Sequence, residues 1–483
     1  MVSICGIHIT WQRMRYGVLS LMFSGMLSVL ALPRSVCGQG GYNDDRVMIQ
    51  GFIWESHQEN WTERWYKNVD ARAQELADAE FDIIWLPPPS EGEGAGYHPR
   101  QLNDMDNNYG TLDDHKRVIR TLLSKGLEPV ADVVVNHRNG SEGWAVFKNP
   151  DWPSRFICST DEFWFQSTSN PSLSQGDLAI LSAGEKGAPD YKGSNWPNWH
   201  GARDIDHTNP DVRSAIIDYL QRLKRFGYRG WRYDMVKGFA PEYVAEYNFR
   251  TQPTFAVGEY LDGNTQTLTN WVDGTKQQGQ PDPAVRACSA FDFAIKEKLQ
   301  SFLNKQEYTR LRDITIRDGH DDALVTLNKD KAVTFLENHD TGWPQQQFDS
   351  FPNDVKLLQG YAYILTHPGM PCVYWKHYFD WNHAAEIRAL IRARKLAGVH
   401  SGSFIKTELH DSDYVAIVGD KPTDSSTLIV KIGHGFNFDV DGNVWALEAS
   451  GNGYAVWVRK SKKLETQSAV DAPKPSLPPP ELQ

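Results

Sequence analysis

Cysteine is scarce in this sequence, and basic residues are fewer than acidic ones. Only five of its 483 residues are Cys, and Cys5 and Cys37 lie in or beside an N-terminal segment of signal-like composition. Cys158, Cys288 and Cys372 show no paired spacing, so neither a disulfide framework nor a cysteine zinc site is expected. Asp and Glu outnumber Lys and Arg by 61 to 50, a formal charge of −11, which argues against a nucleic-acid-binding protein.

Long apolar runs are missing except near the N-terminus. Arg13 and Arg15 precede an uncharged stretch and a group of small residues, an order typical of a secretory signal. We therefore predict a cleaved signal over residues 1–38 and a secreted or periplasmic protein with no membrane contact after cleavage. An uncleaved N-terminal anchor is the alternative. Residues 461–483 are rich in Pro and predict an extended, disordered tail.

Aromatic side chains, in contrast, make up 12% of the chain and include 17 Trp. So many rings suit either an apolar core or a groove that stacks the flat faces of sugar rings, and composition does not separate these two interpretations. With 40% hydrophobic and 23% charged residues the composition is otherwise that of a globular protein. The length favours more than one domain.

Short apolar runs alternate with helix-like segments along most of the chain. Each of eight such runs ends in polar residues, and the runs cover 48–54, 81–87, 129–137, 230–236, 254–260, 287–293, 332–340 and 370–375. Helix-like stretches between them include 113–125, 211–226, 294–303 and 354–365. Eight strand–helix units predict a (β/α)8 TIM barrel, a fold of the α/β class.

The alternation is interrupted once, after the third predicted strand. A long segment without a helix-like pattern follows this strand. Because long loops in compact domains are usually functional, we predict an inserted domain over residues 139–203. It divides the barrel into 45–138 and 204–397. After a last helix over 383–397, Gly-punctuated alternating segments predict a C-terminal antiparallel β domain over residues 398–460. Its predicted strands are 414–418, 427–432, 444–448 and 454–458.

Polar residues cluster where the predicted barrel strands end, which is where such barrels place their catalytic groups. Arg232 and Asp234 end the fourth predicted strand, Glu259 ends the fifth and Asp340 ends the seventh. An ordinary buried ion network is the alternative. Carboxylates that converge on one pocket repel one another, however, and are costly unless they serve a task.

Glycoside hydrolysis is a task that suits these groups. It needs one carboxylate at an oxocarbenium-like centre and one protonated carboxyl that gives a proton to the leaving oxygen. Arg232, on the same side of its strand as Asp234, would keep Asp234 ionised. Glu259 would be the acid, with a pKa raised by the neighbouring negative charge. We expect the Asp234 and Glu259 oxygens to lie within about 5–6 Å of each other at one end of the barrel.

Four segments, in this order, resemble the four conserved segments of the α-amylase family, glycoside hydrolase family thirteen. They are DVVVNH (132–137), GWRYDMVKGF (230–239), VGEY (257–260) and FLENHDTG (335–342). Longer strings, among them GYHPRQLNDMDNNYGT (96–111) and ARDIDHTNP (202–210), are similar to plant α-amylases. The likeness covers residues 46–460.

The resemblance implies a retaining double displacement on an α-glucan polysaccharide. By the matching segments, Asp234 would be the nucleophile, Glu259 the general acid/base and Asp340 a third carboxylate that holds ring hydroxyls and supports transition-state charge. The resemblance also implies a set of residues around the bound sugars: Tyr97, His137, Arg232, Lys237 and His339. A core Tyr, structural His residues and a solvated Lys are the alternatives for the individual positions.

The resemblance further implies a structural calcium ion between the barrel and the inserted domain. The residues at the matching positions are Asn136, Asn198, Gly201, Asp204 and Gly238, of which the two Gly would contribute backbone carbonyls. Calcium takes six to eight oxygen ligands of these kinds. Where plant enzymes carry an Asp ligand, this chain offers Asn195 or Asn198, so we expect a weakly held ion.

The function predicted from the sequence is therefore that of a secreted, endo-acting, monomeric α-amylase. A same-fold glucanotransferase or a hydrolase that forms one small maltooligosaccharide is the closest alternative, since water and sugar acceptors compete for the same covalent intermediate. A noncatalytic glucan-binding relative is a second alternative, disfavoured because all three carboxylates are present.

Overall fold

The computed structural model describes residues 43–58, 64–142, 146–158, 203–279, 286–315, 322–342, 350–351, 353–410, 412–420, 426–435 and 438–460. The predicted signal and tail, most of the predicted inserted domain, and the predicted ligands Asn198 and Gly201 lie outside these residues.

Strands within the described residues are β1 (Met48–Gln50), β2 (Ile83–Leu86), β3 (Glu91–Glu93), β4 (His98–Gln101), β5 (Glu128–Val133), β6 (His137–Arg138), β7 (Arg203–Asp204), β8 (Gly230–Tyr233), β9 (Phe255–Gly258), β10 (Ser289–Phe291), β11 (Ala332–Phe335), β12 (Met370–Tyr374), β13 (Phe404–His410), β14 (Asp413–Gly419), β15 (Ser426–Ile432), β16 (Trp445–Gly451) and β17 (Tyr454–Arg459). The α-helices are α1 (Trp65–Asp78), α2 (Leu112–Ser124), α3 (Pro210–Phe226), α4 (Pro241–Thr251), α5 (Thr265–Gly274), α6 (Phe293–Asn304), α7 (Leu324–Leu327), α8 (Asp354–Thr366) and α9 (Ala384–Ala397).

Eight parallel strands close into the predicted barrel, in the order β1-β12-β11-β10-β9-β8-β5-β2. The strands consist almost wholly of buried residues, which is why each appears in the sequence as a continuous apolar run. The prediction was wrong in the strand ends. Most runs were predicted too long, because the polar residues that end them leave the sheet and form loops at its carboxyl edge.

Local sequence signals explain where the helices begin and end. Thr111 caps α2: its side chain accepts a hydrogen bond from the Asp114 amide, and the Asp114 carboxylate accepts one from the Thr111 amide. Asn209 caps α3, whose first residue is Pro210. The same helix ends at Gly227, which has a φ of 122°, a conformation that a residue with a Cβ adopts only with strain.

The predicted insertion leaves the barrel through a short two-stranded ribbon. β6 pairs antiparallel with β7, so that His137 lies opposite Asp204 and Arg138 lies opposite Arg203. The buried Arg138 guanidinium donates to the backbone carbonyls of Arg100, Lys148 and Pro150 and thereby ties the ribbon to its surroundings. The ribbon carries the predicted calcium ligand Asp204, and Asn136 directly precedes it.

The C-terminal domain is a five-stranded antiparallel sheet, in the order β13-β14-β15-β17-β16. Helices α8 and α9 of the barrel pack against it. Four of its strands match the sequence prediction, and β13 was missed. Among the described strands it pairs with β14 alone, and its central residues Lys406, Thr407 and Glu408 are polar, so it lacks the apolar run by which the other strands were found.

Candidate active site

The polar residues predicted to converge do so at the carboxyl ends of neighbouring barrel strands. Arg232 lies in β8 opposite Asp132 of β5, so their side chains share the inner face of the barrel. Asp234 follows β8 directly and Glu259 follows β9 directly. Gly258 precedes Glu259 because a Cβ there would collide with the Trp271 ring.

Arg232 lies at the centre of the site and contacts three carboxyl groups. Its guanidinium is fully buried, and its Nη1 lies 2.8 Å from Asp132 Oδ1 and 2.6 Å from Asp234 Oδ1. Its Nη2 lies 2.9 Å from Glu259 Oε2. Burial alone would lower the pKa of Arg232, but the surrounding carboxylates outweigh it and raise the pKa well above the ordinary value. One fixed positive charge therefore holds three acidic side chains in one cluster.

The Asp234 and Glu259 carboxyl groups lie at the same end of the barrel, and both contact the buried Arg232 guanidinium. Glu259 Oε2 also accepts a hydrogen bond from the Met235 amide at 3.1 Å.

The pKa values of the pair are raised mainly by burial. Burial raises the pKa of Glu259 to about 7, with Arg232 opposing and the Asp234 charge adding to the rise. Burial also raises the pKa of Asp234 to about 6, because Arg232 only partly offsets it. These directions correct two expectations: burial contributes more than the neighbouring charge at Glu259, and Arg232 does not keep the pKa of Asp234 low.

Asp340 lies beside His339 on the far side of the cluster, after β11. His339 Nε2 is 3.2 Å from Asp340 Oδ2 and 2.7 Å from the Tyr97 hydroxyl, while Gln50 Nε2 donates to His339 Nδ1 at 3.0 Å. Burial, with a smaller contribution from Arg232, lowers the pKa of His339 well below its ordinary value, so the ring is neutral. Its Nε2–H is therefore the group that faces Asp340 and Tyr97. Burial raises the pKa of Asp340 well above the ordinary range.

Asp132 was missed as a site residue, although it begins the string DVVVNH. Its Oδ2 accepts hydrogen bonds from the Tyr97 hydroxyl at 2.8 Å and from Trp85 Nε1 at 3.1 Å. Its Oδ1 contacts Arg232, and the side chain is fully buried. The available signal was a charged residue inside an apolar strand run, which is costly unless the charge has partners.

Three nearly parallel aromatic rings lie close together beside Asp340. The rings of Trp54 and Tyr97 are parallel within 1° at 6.3 Å between centroids, Tyr97 and His339 are inclined by 12° at 5.3 Å, and Trp54 and His339 by 13° at 6.1 Å. The Tyr97 hydroxyl is held by Asp132. Trp54, which is half-buried, was not identified from the sequence.

The other predicted sugar-contacting residues flank the cluster. His137 Nε2 donates to the Tyr97 carbonyl at 2.7 Å and its Nδ1 accepts from Asn136 Nδ2 at 3.3 Å, and burial lowers its pKa to about 4. Lys237 lies three residues after Asp234, in the short 3-10 turn Val236–Gly238. Its Nζ lies 3.1 Å from Asp262 Oδ2 and 5.2 Å from the centre of the Tyr260 ring. These contacts place Lys237 on the Glu259 side of the site.

Three of the five predicted calcium ligands lie in the described residues: Asp204 in β7, Asn136 directly before β6, and Gly238 in the turn after β8. The Ile205 amide, next to Asp204, donates to the Asn136 carbonyl at 2.9 Å. Asn136 Nδ2 lies 3.8 Å from Met235 Sδ, at the start of the turn Val236–Gly238. Among the described residues no group of three or more His, Cys, Asp or Glu side chains is placed to hold a metal ion. The predicted set contains a single carboxylate and is otherwise made of amide and backbone oxygens.

No helix in the described ranges combines the length and the apolar character needed to cross a membrane.

Comparison with known proteins agrees with this geometry. The family model of the α-amylase catalytic domain matches residues 69–377, and that of the α-amylase C-terminal β-sheet domain matches residues 396–458. "Alpha-amylase 3, chloroplastic" of Arabidopsis thaliana is 34% identical over 85% of this chain, which spans 44% of that relative's length. "Probable alpha-amylase 2" of the same plant is 32% identical over 85% of this chain and 93% of its own length.

Two further comparisons concern a bacterial relative and a solved structure. "Glucan 1,4-alpha-maltotetraohydrolase" of Stutzerimonas stutzeri is 30% identical over 83% of this chain and 70% of its own length. The crystal structure of an Anoxybacillus α-amylase superposes with a TM-score of 0.60 over 86% of this chain and 98% of its own, at 14% identity, a likeness of fold. The chain therefore belongs to the α-amylase family of glycoside hydrolases.

Proposed function

We propose that this protein is an α-amylase that cuts internal α-1,4-glucosidic bonds of starch- or glycogen-type glucans with retention of configuration. One observation carries the proposal: the Asp234 and Glu259 carboxyl groups meet on one buried arginine at the ends of adjacent strands. Burial keeps a proton on one of them near neutral pH, so the pair can supply an acid and a nucleophile at once.

Bond cleavage would proceed in two displacements. Glu259 gives its proton to the glycosidic oxygen as that oxygen leaves C1, and the Asp234 carboxylate forms a bond to C1. Glu259, now ionised, takes a proton from water, whose oxygen attacks C1 and releases Asp234.

The neighbouring groups would hold the sugar at the cleavage point. Asp340 and His339 face the same space and would take the ring hydroxyls, while Tyr97 would stack on the ring face, supported by Asp132. His137 would contact the same sugar. Lys237 would reach the next sugar on the leaving-group side, because it lies beside Tyr260 and Asp262, which follow Glu259 in the chain.

Incubation with soluble starch tests this function. Reducing ends, viscosity and product sizes should be followed together. Rapid loss of viscosity with products of mixed length supports internal hydrolysis, and an absence of new reducing ends would contradict it.

A hydrolase that forms one short maltooligosaccharide is the second candidate, because a maltotetraohydrolase is among the relatives. A single product size that appears without rapid loss of viscosity would favour it. Redistribution of chain lengths without a matching gain in reducing ends would favour a glucanotransferase instead.

The pH dependence of kcat/KM should be bell-shaped, with its maximum between the two shifted pKa values. Asp234, with its pKa raised to about 6, loses its nucleophilic charge as the pH falls below that value. Glu259, with its pKa raised to about 7, loses its proton as the pH rises above it. On an aryl maltooligosaccharide with an activated leaving group, Glu259→Gln should remove the alkaline limb. An alkaline limb that persists in this variant would assign it to another group.

The predicted oxygen ligands at the ribbon and at the turn after β8 fit a calcium ion, because a carboxylate, an amide oxygen and backbone carbonyls are the ligands that calcium prefers. Asn136, Asp204 and the Gly238 carbonyl would hold it, together with Asn198 and the Gly201 carbonyl. The ion would brace the base of the predicted inserted domain (139–203) against the barrel (45–138 and 204–397). Its contribution here is structural.

Removal of calcium should lower the melting temperature. An ion at 100 times its Kd stabilises the folded state by about 2.7 kcal/mol, so excess EDTA should lower Tm by a few degrees and added Ca²⁺ should restore it. Asp204→Asn removes the one carboxylate of the set and should abolish most of this response. Asp413→Asn, a change at a buried carboxylate of the C-terminal sheet, is the control and should leave the EDTA response intact. An unchanged Tm in EDTA would contradict a structural calcium.

We further infer a secreted or periplasmic monomer with a cleaved signal over residues 1–38, a C-terminal domain over 398–460 and an extended tail over 461–483. The signal-like order of charged, apolar and small residues near the N-terminus supports this localisation. One relative is named chloroplastic, so N-terminal sequencing of the mature protein and its location in the source cell decide between these destinations.

A further inference from the structure

Glu337 is a fully buried carboxylate close to the proposed active site that none of the chemical steps above uses. It follows β11 in the same turn that carries His339 and Asp340. A buried carboxylate costs free energy unless its oxygens are well bonded. We infer that Glu337 is a positioning residue for Asp340, an inference that rests on the proposed role of Asp340.

The two oxygens of Glu337 bind two other parts of the barrel wall. Oε1 accepts a hydrogen bond from the Phe351 amide at 2.7 Å, and Oε2 lies 3.1 Å from His377 Nε2. His377 belongs to a single π-helical turn, Lys376–Asp380, directly after β12. Such turns are rare and are frequently found at functional sites. Glu337 therefore links the end of β11 to the segments before α8 and after β12.

Hydrogen bonds on both ring nitrogens hold His377 against Glu337. Because the Glu337 carboxylate can only accept, His377 Nε2 carries a proton and donates to Oε2. His377 Nδ1 lies 2.8 Å from the Tyr361 hydroxyl, which also accepts a hydrogen bond from the Tyr374 amide at 3.2 Å. The link therefore defines one orientation of the Glu337 carboxylate.

A tight turn transmits this orientation to Asp340. Asn338 Oδ1 accepts the amides of Asp340 at 3.1 Å and Thr341 at 2.9 Å, and the Asn338 carbonyl accepts the Gly342 amide at 2.9 Å. A Cβ on Gly342 would lie 3.1 Å from Glu337 Oε2. Because the turn closes directly against the Glu337 carboxylate, a shift of that carboxylate displaces the turn and with it Asp340.

A double-mutant cycle with Glu337→Gln and Asp340→Asn tests this inference. Gln keeps the size of the Glu337 side chain, but its Nε2 is a donor. It would face either the Phe351 amide or His377 Nε2, which are also donors, so one of the two hydrogen bonds is lost. We expect Glu337→Gln to lower kcat on soluble starch about 10-fold at 15 °C, with KM changed less than about 3-fold, because Asp340 acts in the transition state. Acarbose, bound in one of the similar amylase structures, should bind about 10-fold more weakly when measured by calorimetry.

The decisive comparison is in the Asp340→Asn background. If Glu337 acts through Asp340, adding Glu337→Gln there should change acarbose affinity by less than about 2-fold. Equal weakening in both backgrounds, or a kcat that stays within about 2-fold of wild type, would overturn the inference.

Two further variants keep the outcome interpretable. Tyr361→Phe removes only the hydroxyl that orients His377 and should give a smaller loss of the same kind if Glu337→Gln does not fold. Asp413→Asn, in the C-terminal sheet, should leave kcat unchanged. A Glu337→Gln variant that only lowers Tm, with normal kcat at 15 °C, would show a purely structural role. A wild-type protein that does not hydrolyse starch would instead overturn the proposed function.

Discussion

Asp234→Asn should lower kcat on soluble starch by at least about 10⁴-fold while leaving the fold intact, because the amide cannot form the bond to C1. That loss corresponds to a rise of about 5.4 kcal/mol in the activation free energy. KM and acarbose affinity should change far less, since the remaining site still holds the sugar. Reducing-end assays at saturating starch, with circular dichroism for the fold, measure the two effects separately.

A matched control exists in the same barrel. Asp292 is a fully buried carboxylate at the start of α6, where its oxygens accept the amides of Ile295 and Val325. Asp292→Asn makes the same chemical change and keeps a good helix-capping residue. It should leave kcat within about 3-fold of wild type, since the side chain caps a helix and has no proposed part in the reaction. An Asp234→Asn variant that retained comparable activity would show that another group is the nucleophile.

Arg232→Gln should combine the second large effect on rate with a large loss of stability. The substitution leaves Asp132, Asp234 and Glu259 buried without the guanidinium that holds all three. Removal of one partner from such a buried ionic cluster costs about 3–5 kcal/mol of folding free energy. Activity should fall as well, because Asp234, the proposed nucleophile, would then be protonated.

This destabilisation should depend on pH, and its sign follows from the shifted groups. Folding raises the pKa of Asp234 to about 6 and that of Glu259 to about 7, so the folded chain holds protons that the unfolded chain has lost. The stability due to these groups is therefore present at acid pH and is lost as the pH rises from about 4 to about 7. Without Arg232 the carboxyl groups depend more on those protons. The difference in Tm between variant and wild type should be larger at pH 7.5 than at pH 5.

A surface arginine provides the control for this second prediction. Arg72 pairs with Glu75 at 2.9 Å on the exposed face of α1. Arg72→Gln should cost less than about 1 kcal/mol at either pH, because solvent screens such pairs. If Arg232→Gln cost no more than this control, Arg232 would not be the group that makes the buried carboxylates tolerable.

The sequence was sufficient to predict the barrel because each strand is buried on both faces and so leaves a continuous apolar run. It was also sufficient to place Arg232, Asp234 and Glu259 together, since residues at the ends of adjacent parallel strands must meet. β13 was missed for the opposite reason: it lies at the edge of its sheet and has three polar residues, Lys406, Thr407 and Glu408, at its centre, so it has no such run.

Other features of the site could not be read from the sequence because they depend on distant contacts. Gln50 at the end of the first barrel strand pairs with His339 after the seventh. Asp132 accepts hydrogen bonds from Tyr97 and Trp85, which lie 35 and 47 residues away in the sequence. The balance between burial and charge that raises the pKa of Asp234 depends on how deeply Arg232 is enclosed. Motif spacing contains none of this information.

Capture of the covalent glycosyl-enzyme tests the central claim most directly. In the Glu259→Gln variant an activated fluoro-maltooligosaccharide should react at the first step, while the second step, which needs the Glu259 carboxylate as base, should be slow. Peptide mass mapping should then find one glycosyl adduct, on the peptide that contains Asp234. An adduct on a different residue, or complete turnover that releases the β-anomer with no adduct, would contradict a retaining mechanism with Asp234 as its nucleophile.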